Sequence, residues 1–149
     1  MTASTFFATG FGIGRLTPAP GTAATLAAWL IGLWMARLEA SVWLAIVFVL
    51  FLAGIWACGV AGRELGAADH PALVIDEIVA FLLVLAVLPG ELAWQIAGFV
   101  LFRFFDIFKP APIDTFEHRF QGGFGVMFDD LIAAGYTLLI LALAKRIFL

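Results

Sequence analysis

Two pairs of adjacent acidic residues interrupt apolar parts of the sequence. Asp76 and Glu77 lie inside a hydrophobic stretch, and Asp129 and Asp130 follow a glycine-rich segment. Hard, oxygen-liganded ions such as Mg²⁺ bind carboxylates, so all four residues are candidate metal ligands and catalytic groups. The alternative for the first pair is exposure to water at an interface. The alternative for the second pair is stabilisation at a helix start by the helix dipole, at about 0.3–1 kcal/mol for each acid.

A second group combines basic and acidic residues at helical spacing. Arg103, Asp106 and Lys109 occupy every third position, so on a helix Arg103 and Asp106 share a face. A guanidinium fork and an ammonium group both bind phosphate oxygens. We therefore interpret Arg103 and Lys109 as substrate-binding residues and Asp106 as a metal ligand or an acid–base group. The alternative is an intrahelical salt bridge that offsets the burial of Arg103.

Two loops contain the remaining candidates. Residues 18–22 include two prolines followed by Gly21 and Thr22 and open a helix, whose free N–H groups are suited to an anion such as phosphate. Gly21 and Thr22 are therefore candidate substrate-binding residues, although such loops also precede helices that bind nothing. His70, in a polar loop, is a candidate catalytic acid, base or metal ligand, or a loop residue with none of these roles.

The composition shows which solvent surrounds these groups. Of 149 residues, 64% are hydrophobic and 13% are charged, whereas soluble domains carry about 25% charged residues. With a mean hydropathy of +1.09, the chain is expected to lie largely in lipid.

The net charge of -3 gives no indication of nucleic-acid binding. The single cysteine, Cys58, excludes an internal disulfide and a cysteine-based zinc site, and the N-terminus does not have the pattern of a signal peptide.

The elements that position the candidate groups are predicted to be apolar helices. We expect one membrane-embedded domain over residues 1–149, an all-α polytopic bundle of about four to five hydrophobic segments. Residues 5–14 are too short to span and form a short re-entrant or interfacial N-terminal element. Asp69 and Pro71 have the pattern of a helix start, which places Asp76 and Glu77 about one turn inside the third segment. The predicted segments are 22–35, 41–62, 72–88, 92–108 and 129–146.

Alternating these segments across a membrane sorts the charged residues by side. Five basic residues fall on one side and three on the other, a modest excess that places the first side in the cytoplasm. The residues on the first side are Arg15, Arg63, Arg103, Lys109 and Arg119. Those on the other side are Arg37, Lys145 and Arg146. The cytoplasmic side also receives the acidic candidates and His70, together with Glu64 and Asp69. The sequence therefore predicts an ionic site built from three helices at one membrane face.

Clustered carboxylates and cations at a lipid interface favour phosphoester hydrolysis. A divalent ion held by carboxylates activates water and clamps a phosphoryl group, and basic residues neutralise its oxygens. Attack by water and an aspartyl-phosphate intermediate both remain open. Acyl transfer is disfavoured because no nucleophile-elbow pattern is present. The competing hypothesis is an ion- or proton-coupled transporter subunit, since intramembrane carboxylates also serve as ion sites.

Four motifs, in their order and spacing, resemble the phosphatidylglycerophosphatase A family: Pro18–Thr22, Val74–Glu77, Phe102–Ile113 and Gly122–Asp130. The resemblance extends from about Gly10 to the last helix. The matching polar positions are Asp76, Glu77, Arg103, Asp106, Lys109, Asp129 and Asp130. Ala80 and Ala134 stand where that family usually has glycine, and Ala24 and Thr25 replace its usual Gly-Ser.

The resemblance implies an Mg²⁺-dependent, multi-pass enzyme of the bacterial inner membrane with its active site facing the cytoplasm. Such an enzyme removes the terminal phosphate of phosphatidylglycerophosphate to give phosphatidylglycerol. Its partner is the phospholipid substrate within the membrane, and neither a nucleic acid nor an obligatory protein partner is expected.

Overall fold

A computed structural model describes residues 2–67, 70–108 and 122–148. Their helices are α1 (Ala3–Ala8), α2 (Ile13–Leu16), α3 (Pro20–Met35), α4 (Ala40–Leu65), α5 (Ile75–Val87), α6 (Leu92–Phe108) and α7 (Gly122–Phe148). Because these ranges contain helices and turns but no strand, the predicted all-α class is confirmed for them.

Helix α5 forms the centre of the bundle. Beyond Glu77 its sequence is apolar on every face, which is the pattern of a helix surrounded by other elements. It packs against α3, α4, α6 and α7. The ring of Phe81, which is fully buried, lies 5.8 Å from that of Phe99 and 5.6 Å from that of Phe102 on α6. These aromatic contacts fix α6 against α5.

Local sequence sets several helix ends. Pro20 occupies the first position of α3, where its missing N–H is harmless and its fixed φ suits a helix. Gly66, with φ +83°, ends α4 in the left-handed conformation that glycine adopts most readily. Leu88 ends α5 in an extended conformation, as expected of a residue that precedes a proline.

The short N-terminal helices pack against the turn that leads into α5. The amide of Val74 donates to the carbonyl of Ala8 at 2.9 Å. A Cβ added to Gly14 would lie 2.0 Å from the carbonyl oxygen of Ala72, so only glycine allows this backbone contact. The predicted short N-terminal element is therefore present, and it fixes the start of α5.

Glu64 joins the N-terminal element to α4. Its carboxylate, in the last turn of α4, accepts hydrogen bonds from the hydroxyls of Thr2 and Thr5. Thr2 also caps α1, since its side chain accepts from the amide of Thr5. Glu64 was grouped by sequence with the other acids of its membrane face, but it has this separate structural task.

Helices α4 and α7 cross with their backbones in contact. A Cβ added to Gly123 would lie 1.8 Å from the carbonyl oxygen of Ile55, and one added to Gly54 would lie 2.6 Å from the methyl carbon of Met127. Two helices of the described ranges, Ala40–Leu65 and Gly122–Phe148, are long and apolar enough to cross a membrane. Helix α3 is apolar but shorter, so the predicted four to five membrane segments stay a prediction.

Two predicted helix starts are wrong. The last helix begins at Gly122 rather than near Asp129, because burial of Gly123 and Gly125 in the bundle offsets the low helix propensity of glycine. The dipole explanation for Asp129 therefore fails.

The second error concerns α5, which begins at Ile75 rather than near Pro71. A turn precedes it, in which the amide of Leu73 donates to the carbonyl of His70. Asp76 and Glu77 consequently lie in the first helical turn instead of one turn further inside. The prediction for residues 92–108 is confirmed by α6.

Candidate active site

The ends of α5, α6 and α7 enclose a small polar cavity. Its volume is about 150 Å³, and the turn before α5 closes one side. Seven of the residues predicted from sequence line it, contributed by four separate segments: His70, Asp76, Glu77, Arg103, Asp106, Asp129 and Asp130. The predicted convergence of charged groups at one end of the helices is therefore confirmed for these residues.

Three carboxylates are placed to hold a cation. Asp76 and Glu77 come from the first turn of α5, and Asp130 comes from α7. One oxygen from each lies within 4.8 Å of the other two. Ligands on opposite sides of Mg²⁺, at roughly 2.0–2.1 Å from the ion, lie about 4.2 Å apart. The spacing of these oxygens therefore suits a divalent ion, whose identity the spacing does not specify.

Two carboxylate oxygens of the same residues have no donor to neutralise them. Asp76 Oδ1 and Glu77 Oε2 are buried and accept no hydrogen bond from the described residues. A buried polar atom without a partner is unfavourable, by about 1–3 kcal/mol and more for a charged group. The donor chemistry of the cluster thus fits a metal ion, which would satisfy both oxygens at once.

Arg103 and Asp106 form an ion pair on the cavity wall. The Nη1 group of Arg103 donates to Asp106 Oδ2 at 2.5 Å, across one turn of α6. The intrahelical salt bridge, which was the alternative to a functional role for this pair, therefore exists, and it lines the cavity. Arg103 Nε is buried and donates to no described residue, so the guanidinium retains capacity to bind an anion.

His70 uses one ring nitrogen to hold the turn before α5. Its Nδ1 accepts from the amide of Ala72 at 3.1 Å. In a neutral imidazole the proton then resides on Nε2. Because His70 lines the cavity, its Nε2–H can serve as a hydrogen-bond or proton donor there, whereas Nδ1 is unavailable to a metal.

Comparison with known proteins identifies the family to which this chain belongs. Residues 6–145 match the family model described as "PgpA: Phosphatidylglycerophosphatase A". The chain belongs to the phosphatidylglycerophosphatase A family. No solved structure matches it.

Three curated relatives are similar over most of their length. A phosphatidylglycerophosphatase A of Haemophilus influenzae is 41% identical over 136 residues, covering 89% of this chain and 83% of the relative. Its namesake in Escherichia coli is 36% identical over 129 residues, covering 85% and 74%. A Bacteroides thetaiotaomicron protein, provisionally named a phosphatidylinositol-3-phosphatase, is 38% identical over 145 residues, covering 92% and 90%.

The first motif shared with the phosphatidylglycerophosphatase A family lies beside the cavity rather than in its wall. Gly21 is adjacent to the guanidinium of Arg103, whereas Thr22 is half-buried in the first turn of α3. Neither is among the lining residues, so direct substrate binding by Gly21 and Thr22 stays a prediction. Lys109 lies outside the described residues.

Sequence reasoning missed the apolar part of the cavity wall. Leu73, Ile107 and Val126 line it together with the charged groups. Helical periodicity contained the signal for Val126, since it precedes Asp130 by four residues and so shares its face. Apolar walls around a charged cluster exclude water and strengthen electrostatic interactions inside it.

Proposed function

We propose that this chain hydrolyses the terminal phosphate of phosphatidylglycerophosphate and releases phosphatidylglycerol, using Mg²⁺. Family membership and the names of the Haemophilus influenzae and Escherichia coli relatives support the substrate. The structural observation that carries the chemistry is that the clustered oxygens of Asp76, Glu77 and Asp130 share one cavity with Arg103. A carboxylate cluster and a guanidinium in one cavity provide for a divalent ion and for phosphate oxygens, respectively.

Each group has a role in this proposal. Asp76, Glu77 and Asp130, with Asp129 beside them, would hold Mg²⁺, which supplies charge neutralisation of the phosphoryl oxygens when bound. Arg103 binds those oxygens through its guanidinium, and Lys109 assists.

The remaining two residues act on Arg103 and on the leaving group. Asp106 orients the guanidinium by accepting a hydrogen bond from Nη1. His70 donates a hydrogen bond from Nε2–H to the oxygen of the leaving lipid. Water attacks phosphorus in line with that oxygen, and the bond between phosphorus and the lipid oxygen breaks. The proton lost by the water passes to the lipid oxygen, so the products are inorganic phosphate and the lipid alcohol.

The proposed setting is the bacterial inner membrane, with several membrane passes and the cavity at the cytoplasmic face. The two long apolar helices and the many exposed large apolar side chains support contact with lipid. At 16 and 17 residues, α3 and α6 are only about 24–26 Å long. The headgroup of a lipid would therefore meet a site near the ends of the helices, where water is available for hydrolysis.

A transport function has less support. Beyond Glu77, α5 contains no charged residue. Polar side chains deeper in the bundle are used in hydrogen bonds of the fold: Thr137 donates to the carbonyl of Ala133, and Trp29 donates to Gln95 Oε1. These residues therefore supply no series of vacant polar sites along which an ion could move.

The test is phosphate release from phosphatidylglycerophosphate by the purified protein in detergent or lipid. We expect release with Mg²⁺, loss on chelation and recovery when Mg²⁺ is restored. Activity that survives chelation would remove the metal from the proposal but leave the phosphatase intact. Parallel assays with phosphatidic acid and phosphatidylinositol 3-phosphate test the substrate, and faster turnover of either would overturn the assignment.

A further inference from the structure

We propose that Gly21 is a positioning residue for Arg103. Its missing side chain leaves the space that the guanidinium occupies beside the cavity. The inference rests on the proposed function, in which Arg103 binds the phosphate of the substrate. In this role the motif Pro18–Thr22 leaves space for the guanidinium and does not contact the substrate directly.

The contact between Gly21 and Arg103 involves the whole guanidinium. A Cβ added to Gly21 would lie 2.8 Å from Nη2, 3.1 Å from Nη1 and 3.2 Å from Cζ of Arg103. All three distances are shorter than ordinary van der Waals separations. Rotation of one nitrogen would not relieve the overlap, because the carbon and both terminal nitrogens are crowded together. The entire group would have to move.

Helix α3 is held in place by its packing against α5 and by two side-chain contacts with α6. Two turns beyond Gly21, the indole N–H of Trp29 donates to Gln95 Oε1 at 2.9 Å. The same ring lies 5.5 Å from that of Phe99. Trp29 is eight residues after Gly21 on α3, and Gln95 is eight residues before Arg103 on α6. The two helices therefore run antiparallel here. These contacts fix α3 opposite Arg103.

Arg103 is also restrained from its other side. Its Nη1 is bonded to Asp106, and its side chain is only 14% exposed. A methyl group at position 21 would therefore push the guanidinium out of its bonded position while leaving both helices in place. Small displacements of a substrate-positioning group can reduce rate by about 100-fold. Gly21 thus controls activity without touching the substrate.

The test begins with Gly21→Ala, measured for phosphate release and for thermal unfolding. We expect kcat/KM to fall about 10- to 100-fold, with at most a moderate fall in Tm from the weakened ion pair between Arg103 and Asp106. The loss must not exceed that of Arg103→Ala, because Gly21 acts through this residue. Unchanged activity in Gly21→Ala would overturn the proposal.

A double-mutant cycle separates positioning from direct binding. In the Arg103→Ala background there is no guanidinium to displace, so adding Gly21→Ala should cause little further loss. A full additional loss would mean that Gly21 acts on the substrate or on the helix itself, and would overturn the proposal. If Gly21→Ala lowers Tm, it should lower Tm less in the Arg103→Ala background than in the unaltered protein, and an equal fall in both would also count against positioning.

Gly32→Ala provides the matched control. Gly32 lies on the same helix, and its added Cβ would be 2.6 Å from Cδ1 of Leu85, again the end of a flexible side chain. It is eleven residues from Gly21, or about 16 Å along the helix. We expect activity close to that of the unaltered protein, and a loss equal to that of Gly21→Ala would overturn the proposal.

The double-mutant cycle of Gly21→Ala and Arg103→Ala can also be measured by phosphate binding, without catalysis. Dissociation constants for inorganic phosphate, measured on the four proteins of the cycle, should show the same loss and the same lack of additivity. If the unaltered protein binds phosphate in this way but does not hydrolyse phosphatidylglycerophosphate, the proposed function fails while the positioning role stands. Full phosphate affinity in Gly21→Ala together with full hydrolysis would remove the positioning role alone.

Discussion

Two sets of acidic side chains at the same end of the bundle have opposite surroundings. Glu64 accepts hydrogen bonds from the hydroxyls of Thr2 and Thr5. Asp76 and Glu77 each have one buried carboxylate oxygen that accepts no hydrogen bond from the described residues. Both sets were assigned from sequence to the same membrane face, yet only the second lines the cavity.

The difference shows how structural and functional acids can be distinguished in a largely apolar chain. An acid that stabilises the fold has hydrogen-bond donors within the protein, as Glu64 has. An acid that binds a ligand is held in place with its oxygens unsatisfied, because the donor or cation is supplied by the ligand. The arrangement at Asp76 and Glu77 stores unfavourable free energy, which binding of a cation would release.

The largest expected effect comes from removing one of the unsatisfied charges. Asp76→Asn keeps the shape of the side chain but weakens cation binding. Because a bound ion supplies several kcal/mol of charge stabilisation and 1.36 kcal/mol is a tenfold change in rate, we expect kcat to fall by about 10³. The measurement is phosphate release at saturating Mg²⁺. A loss below tenfold would contradict a ligand role for Asp76.

The same variant makes a prediction about stability. A ligand that binds only the folded state raises Tm, so Mg²⁺ should raise the Tm of the unaltered protein and should do so far less for Asp76→Asn. In chelator the variant should be at least as stable as the unaltered protein, because it has one fewer buried charge without a partner. Thermal unfolding with and without Mg²⁺ measures both. An equal rise in Tm in the two proteins would place the ion elsewhere.

An intermediate effect is expected at Asp106. Asp106→Ala removes the hydrogen-bond acceptor that orients Arg103, and loss of such a partner typically reduces activity about 10- to 100-fold. The rise in Tm with Mg²⁺ should persist, because Asp106 is outside the cluster formed by Asp76, Glu77 and Asp130. Kinetic assays and unfolding curves on one preparation test both statements. Loss of the Mg²⁺ effect would instead make Asp106 a metal ligand.

The smallest effect on activity is expected at Glu64. Glu64→Ala removes the acceptor for two threonine hydroxyls and so loosens the N-terminal element, which should lower Tm slightly. Phosphate release and the Mg²⁺-dependent rise in Tm should both stay close to those of the unaltered protein. A large loss of activity with normal stability would remove the distinction between Glu64 and the cavity acids.

Much of the site was predictable because consecutive apolar helices were expected to alternate in direction. Once the apolar segments were placed, Asp76, Arg103 and Asp130 had to lie at the same end, and the structure brings them to one cavity. Residue type then indicated a cation and a phosphate. The resemblance to a known family added the substrate, which no spacing of residues contained.

The errors arose where tertiary contacts override local signals. Gly122 and Gly123 predicted a turn, but the backbone of Gly123 lies at the α4–α7 crossing, where small residues permit close packing of helices. Pro71 predicted a helix start, but the side chain of His70 holds the following residues in a turn. The role of Gly21 was also beyond reach, since its neighbour Arg103 is 82 positions away in the sequence.

The crossing of α4 and α7 has a mechanical consequence in the proposed membrane setting. Helices respond to a change in bilayer thickness by tilting, and Gly123 fixes α7 to α4 at one end of α7. Asp130 is seven residues from Gly123, whereas Ile147, which is exposed, is twenty-four residues from it. Tilting would therefore swing the distant end of α7 through the larger arc. Asp130 would therefore move less than Ile147 when the bilayer becomes thicker or thinner.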